Sequence, residues 1–133
     1  MILHMDLAER GYDILLERGA LSRAASYLNL DRRVLILTDE TDEASSLSTM
    51  IRRFRASLPY ETRVVNISQY PFKGGCLGCF RCASTGKCVY TDGFDDFLRS
   101  QIQSAQATVY AFSVKDHSMG SRFKMYDDRN FCN

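Results

Sequence analysis

Residues 33–39, Arg33-Val34-Leu35-Ile36-Leu37-Thr38-Asp39, hold the run on which the fold turns. Residues 34–37 are apolar without interruption. A strand covered on both faces of a parallel sheet carries such a run, whereas a half-exposed strand alternates. Parallel neighbours need a crossover, and the following residues supply one. Thr41 or Asp42 is expected to cap a helix on which Ala44, Leu47, Met50, Ile51, Phe54 and Leu58 share one face, with Pro59 after its end. Residues 63–67 then read as a second parallel strand. Asp92 is expected to cap another helix, with Asp95 and Asp96 in its first turn and Phe94, Phe97, Leu98, Ile102 and Ala105 on one face. Residues 108–112 read as a third strand, and a polar loop from Ser113 leads to a short helix near residues 122–129. The pattern from Arg33 onward is β-α-β-α-β, which predicts a doubly wound parallel α/β sheet.

Upstream of this run, Leu3, Met5 and Leu7, then Tyr12, Ile14 and Leu16, alternate on either side of a turn at residues 9–11, which predicts a hairpin. Leu21, Ala24, Ala25 and Leu28 share a helical face over residues 20–28. The expected division is therefore a hairpin–helix segment at residues 1–32 and an α/β domain at residues 33–133.

The 133 residues suffice for one ordinary domain and one modest core. Lys and Arg number 17 against 16 Asp and Glu, a formal charge of +1, so no electrostatic excess argues for nucleic acid or an anionic membrane surface. No apolar stretch approaches the roughly 20 residues of a membrane helix, and the start lacks a basic segment followed by an apolar one. The expectation is a cytoplasmic chain with neither nucleic acid nor membrane as partner. The sequence contains no G-x-G-x-x-G, Walker or G-x-S-x-G element.

Residues 68–91 form a long connection with little periodicity, and a domain avoids such a loop unless it has work to do. Within its cysteine-rich part, residues 74–91, lie Cys76-Leu77-Gly78-Cys79-Phe80-Arg81-Cys82 and, after Ala-Ser-Thr-Gly-Lys, Cys88. This C-x2-C-x2-C-x5-C array is the most specific signal in the chain. Thiolates two residues apart on a turning, glycine-bearing backbone can converge on one inorganic centre, and a fourth completes an iron–sulfur shell. Zinc is the alternative metal, although structural zinc sites usually draw ligand pairs from separated segments. Buried structural cysteines, or a dithiol pair such as Cys79 and Cys82, are the metal-free readings. Cys132 has no partner at motif spacing and reads as a free thiol.

From Val34 to Asn133 the chain resembles the flavodoxin-like NAD(P)H-dependent FMN reductases, and in particular the iron–sulfur flavoproteins. The resemblance is carried by Cys76, Cys79, Cys82 and Cys88, by the segment from Gly86-Lys87-Cys88-Val89 to Asp92, and by Lys124-x-x-x-Asp128-Arg129. It implies a flavodoxin-like fold, with FMN at the carboxyl ends of the strands and a possible 4Fe-4S cluster on the four cysteines. The FMN phosphate would lie at the loop after the first parallel strand, at Thr38, Ser45, Ser46, Ser48 and Thr49. The flavin ring would lie at the loop after the third, at Ser113, Ser118, Met119 and Gly120. The first loop departs from the family pattern, because Thr38-Asp39-Glu40-Thr41-Asp42-Glu43 sets four carboxylates where a phosphate would be received. A five-stranded flavodoxin-like sheet needs two further strands after Asn133, so an incomplete domain is expected. Residues 1–39 separately resemble the amino-terminal segment of 3-dehydroquinate synthase, through Leu7-Ala-Glu-Arg-Gly-Tyr-Asp-Ile14, Glu17-Arg-Gly-Ala-Leu21 and Arg33–Asp39, which suggests a hybrid chain.

The leading expectation is thus a flavin-dependent NAD(P)H oxidoreductase, an electron-transfer flavoprotein with FMN and NAD(P)H, acting on a small-molecule or protein acceptor, as a homo-oligomer. The alternatives are a non-catalytic metal- or redox-binding α/β module, and an inactive truncated or hybrid fragment. His117 reads as a solvated loop residue ahead of a catalytic one. Lys124 and Arg129 fit an anionic cofactor and a surface ion pair with Asp127 and Asp128 equally well. Tyr110, Phe112 and Phe80 are candidates for stacking on a planar ring, with core packing preferred for the first two.

Overall fold

The apolar run of residues 34–37 becomes the central strand, and its neighbours follow from what covers it. In a computed structural model, described over residues 1–60 and 62–130, β1 (Ile2–Met5) and β2 (Tyr12–Leu15) form an antiparallel hairpin. A short helix, α1 (Ala24–Tyr27), precedes β3 (Val34–Thr38). Next come α2 (Ser46–Ser57), β4 (Thr62–Asn66), α3 (Arg81–Thr85), α4 (Phe94–Phe97) and β5 (Ala107–Ala111). A two-residue ladder, β6 (Val114–Lys115) with β7 (Ser118–Met119), leads into α5 (Ser121–Arg129).

The protein is a mixed α/β chain with a three-stranded parallel sheet in the order β4-β3-β5. β3 is buried along its whole length. Val34 and Ile36 turn to one face, where they meet Leu30 and Phe54, with Ile51 of α2, Leu58 just past its end and Val109 of β5 around them. Leu37 turns to the other face, into a cluster with Ile67, Phe72, Phe94, Phe97, Leu98, Phe123 and Tyr126. The two crossovers therefore run over opposite faces, which is why no residue of β3 alternates with solvent. The second face is mostly aromatic. Phe97 meets Tyr70 edge-on at 4.6 Å and Phe72 at 5.2 Å, and Phe123 lies 4.7 Å from Phe112.

Several boundaries differ from the sequence expectation for local reasons. The cap of α2 is Ser45, whose Oγ accepts from the Ser48 amide at 3.0 Å, and not Thr41 or Asp42. Asp42 instead accepts from the Ala44 amide at 2.9 Å, a turn that uses up the residues before the helix. The expected helix at residues 20–28 splits into a 3-10 turn (Leu21–Arg23) and α1, since the Ser22 and Ser26 hydroxyls donate to the Gly19 and Arg23 carbonyls. β4 stops at Asn66, whose side chain accepts from the Ser68 amide and starts a 3-10 turn over Ile67–Gln69. α4 is one short turn that widens into a π-type turn at Leu98–Ile102. β5 begins and ends one residue earlier than expected, and the β6–β7 ladder was not foreseen. No helix among the described residues is long and apolar enough to cross a membrane.

Phe97→Ala is expected to destabilise the protein by about 3–5 kcal/mol, because a fully buried aromatic leaves a cavity that the sheet cannot close. Leu3→Ala, on the exposed hairpin, is expected to change it by less than about 0.5 kcal/mol. Urea denaturation of the two variants checks the contrast.

Candidate functional site

On α5, Phe123, Tyr126 and Arg129 fall on one helical face, and all three are buried. A guanidinium on such a face needs partners for its charge and its donors. Arg129 Nη1 and Nη2 donate to the two carboxylate oxygens of Asp92 at 2.7 and 2.8 Å, in a bidentate pair with both side chains buried. Nη1 also reaches the Gly74 carbonyl at 3.5 Å, and Nη2 reaches Cys88 Sγ at 3.4 Å. Aromatic faces cover the cation, with the Phe94 ring centre 4.0 Å away, Tyr90 4.9 Å and Phe72 5.9 Å. Nε is the one buried side-chain donor without a partner among the described residues.

Asp92 joins the other end of this arrangement. Its Oδ2 accepts from the Lys73 amide at 2.9 Å, so the two ends of the loop at residues 74–91 meet on one carboxylate. The hydrogen bonds from Arg129 hold the Asp92 carboxyl down at about 2, against the burial that would raise it. Burial works to lower the Arg129 pKa, but the bonds to Asp92 and Cys88 outweigh it and the net direction is upward.

Between these anchors the cysteine loop turns repeatedly. Gly78 and Gly86 adopt positive φ at 64° and 63°, and the Gly78 amide donates to Cys76 Sγ at 3.4 Å. Phe80, between Cys79 and Cys82, also takes the left-handed conformation, at φ 55°, a strain of about 1–2 kcal/mol for a residue with a Cβ. Its ring is 69% exposed and repays none of that by packing. Cys88 is fixed more firmly, because its amide donates to both oxygens of Asp95 at 3.2 and 3.1 Å. All four cysteines are free thiols, Cys76 and Cys79 exposed, Cys82 and Cys88 half-buried. Among the described residues no three His, Cys, Asp or Glu side chains stand close enough together to hold a metal ion.

The other expected site lies at the carboxyl ends of β3 and β5. These strands are neighbours, and their loops touch: a Cβ at Gly120 would come within 2.9 Å of Asp39 Oδ2. Thr38, Ser45 and Ser48 are there, but as backbone partners. Thr38 Oγ1 accepts from the Glu40 amide, Glu40 from Asp42, Asp42 from Ala44, and Ser45 from Ser48. The amides of Glu40, Asp42, Ala44 and Ser48, at the place where such a loop receives a phosphate, thus already have side-chain acceptors. The Asp42 amide and the Ser45 hydroxyl hold the Glu40 carboxyl below its usual range, whereas burial pushes that of Asp39 up. Ser46 and Thr49 lie in the first turn of α2, where the Thr49 hydroxyl accepts from Arg52. Ser118 and Met119 form β7, Ser113 precedes β6, and Gly120 caps α5.

His117 sits with Asp116 at the exposed tip of the β6–β7 turn, both at positive φ. Lys124 pairs with Asp128 on the surface of α5, whereas Arg129 is the buried partner of Asp92 and not part of a surface pair with Asp127 or Asp128. Phe112 packs on Phe123 and against the core, whereas Tyr110 meets Phe123 and Tyr126 edge-on but stays 44% exposed. Cys132 lies outside the described residues. Sequence reasoning missed the Asp92–Arg129 pair, which spans 37 residues without a spacing signal. One sign was available: Arg129 continues the three-residue spacing of Phe123 and Tyr126. No family model matches the chain, and no curated protein or solved structure matches it.

Asp92→Asn is expected to cost about 3–5 kcal/mol in urea denaturation, because it strands a buried guanidinium. An Asp92→Leu, Arg129→Met double variant should lose less than the single one. The Asp92 carboxyl is lowered in the folded chain, so its contribution is complete above the usual carboxylate range near 3.8 and is lost as pH falls toward about 2. Acid titration of the wild type against Asp92→Leu, Arg129→Met should show that loss in the wild type only.

Proposed function

We propose that the chain is a metal- or redox-binding α/β module whose working part is the loop carrying Cys76, Cys79, Cys82 and Cys88. One observation carries the reading: four free thiols lie on a single loop whose ends and last cysteine are tied to the core through Asp92 and Arg129. The donor set is soft, and all-thiolate shells suit an iron–sulfur centre or zinc. The compact spacing favours the iron–sulfur centre. A cluster bound there would supply one-electron transfer.

In this scheme Cys88 is the anchored ligand, held through its amide by Asp95 and through its sulfur by Arg129. Cys76 and Cys79 would be the exposed ligands, on a segment with left-handed turns at Gly78 and Phe80. The Arg129 donor beside Cys88 belongs to the kind of outer contact that orients a ligand and tunes a centre's potential.

A flavin-dependent NAD(P)H oxidoreductase with a flavodoxin-like fold is the second reading, and the strand order favours it. The order second–first–third is that of the first three strands of a flavodoxin-like sheet, whose ligand crevice opens between the first and third. The loop after β3 does not fit the FMN phosphate, however. The amides of Glu40, Asp42 and Ala44 are taken by its own side chains, and Asp39, Glu40, Asp42 and Glu43 set four carboxylates around them. No chemistry is assigned to FMN on this chain.

An absorption spectrum of anaerobically purified protein, with iron, zinc and acid-labile sulfide assayed on the same sample, tests the two readings. Bound iron with sulfide, or zinc, that falls by at least tenfold in a Cys79→Ala, Cys82→Ala variant is the expected result. Full metal content in that variant overturns the cysteine assignment, and resolved flavin bands promote the second reading.

A further inference from the structure

A cavity of about 450 Å³ opens between the cysteine loop and the helical turn that follows it, lined among others by Arg81, Lys87, Cys88, Tyr90, Asp96 and Arg99. Its size is that of a small-molecule site. The charges on its wall are unequal in how they are engaged. Asp95 accepts from the Cys88 amide with both oxygens, and Thr85 Oγ1 lies within donating distance of the Arg81 and Lys87 carbonyls, which fixes the backbone beneath those two cations. The side chains of Arg81, Lys87 and Arg99 themselves have no ion pair among the described residues, where every ion pair lies elsewhere. Three cations thus stand against two carboxylates on the wall, Asp95 held to the loop by the Cys88 amide and Asp96.

We infer that this cavity is a binding site for a small, multiply charged anion, the phosphates of a small molecule being the class that three free cations around one concavity suit. Guanidinium groups from two different segments, Arg81 on α3 and Arg99 after α4, line the same cavity and offer planar donors, and Lys87 adds a point charge. The placement brings the anion next to Cys88, the anchored thiol of the proposed metal loop. The site thereby names the chemistry of the small-molecule partner of that module. It does not depend on the metal, since none of the three cations is a candidate ligand.

Calorimetric titration of the full chain with inorganic pyrophosphate, at constant ionic strength set by sodium chloride, tests the inference. Saturable binding is expected, weakened roughly tenfold by Arg81→Gln or Arg99→Gln and strengthened by Asp96→Asn. All three residues are exposed, so the variants are expected to keep the wild-type melting temperature. Arg52→Gln, on the far face of α2, should leave the affinity unchanged. No saturable binding, or an equal loss in Arg52→Gln, overturns the site. Metal content assayed on the same samples separates this outcome from a failure of the metal reading.

Discussion

The buried pair between Asp92 and Arg129 is the contact on which the architecture of the site depends. It links the end of α5 to both ends of the loop at residues 74–91. Neither charge tolerates its position alone, since removal from water costs several kcal/mol for each ion. The cost is offset by bidentate geometry and by the rings of Phe94, Tyr90 and Phe72 around the guanidinium. Two of those rings, Phe94 and Phe72, belong to the aromatic cluster over Leu37. The pair therefore makes the position of Cys88 a function of core packing.

The sheet shows how crossover faces decide burial. α2 covers Val34 and Ile36, and the elements after β4 cover Leu37, so β3 must be apolar on both sides while β4 and β5 remain at the edges. This arrangement also sets the two candidate regions apart. One lies at the strand ends, where acidic side chains close the loop upon itself. The other lies along the long connection between β4 and β5, where thiols and free cations are left available.

Much of the frame was legible in the sequence because its signals are local. The uninterrupted run at Val34, the face of α2, the phenylalanines of α4 and the hairpin at residues 1–16 each show in a short window. Cap and edge details escaped, because Ser45, Asp42 and Asn66 compete for the same few amides and only the fold shows which one wins. The cysteine spacing marked the loop as special. What anchors the loop was illegible, since Arg129 reads as one more surface cation until α5 is seen to turn it inward. Resemblance drew attention to the first loop, yet only the hydrogen bonds show its own side chains occupying the amides of Glu40, Asp42 and Ala44.

The β1–β2 hairpin has a different standing in the molecule. Ile2, Leu7, Tyr12 and Leu16 are at least half exposed, and no residue of either strand is buried. A two-stranded hairpin with so little cover is marginal by itself in water. Its backbone hydrogen bonds should therefore open far more often than those of β3, which can break only when the sheet comes apart. In amide hydrogen exchange the chain would then divide into two kinetic classes, with the first strands exchanging through local fraying and the central strand through global unfolding.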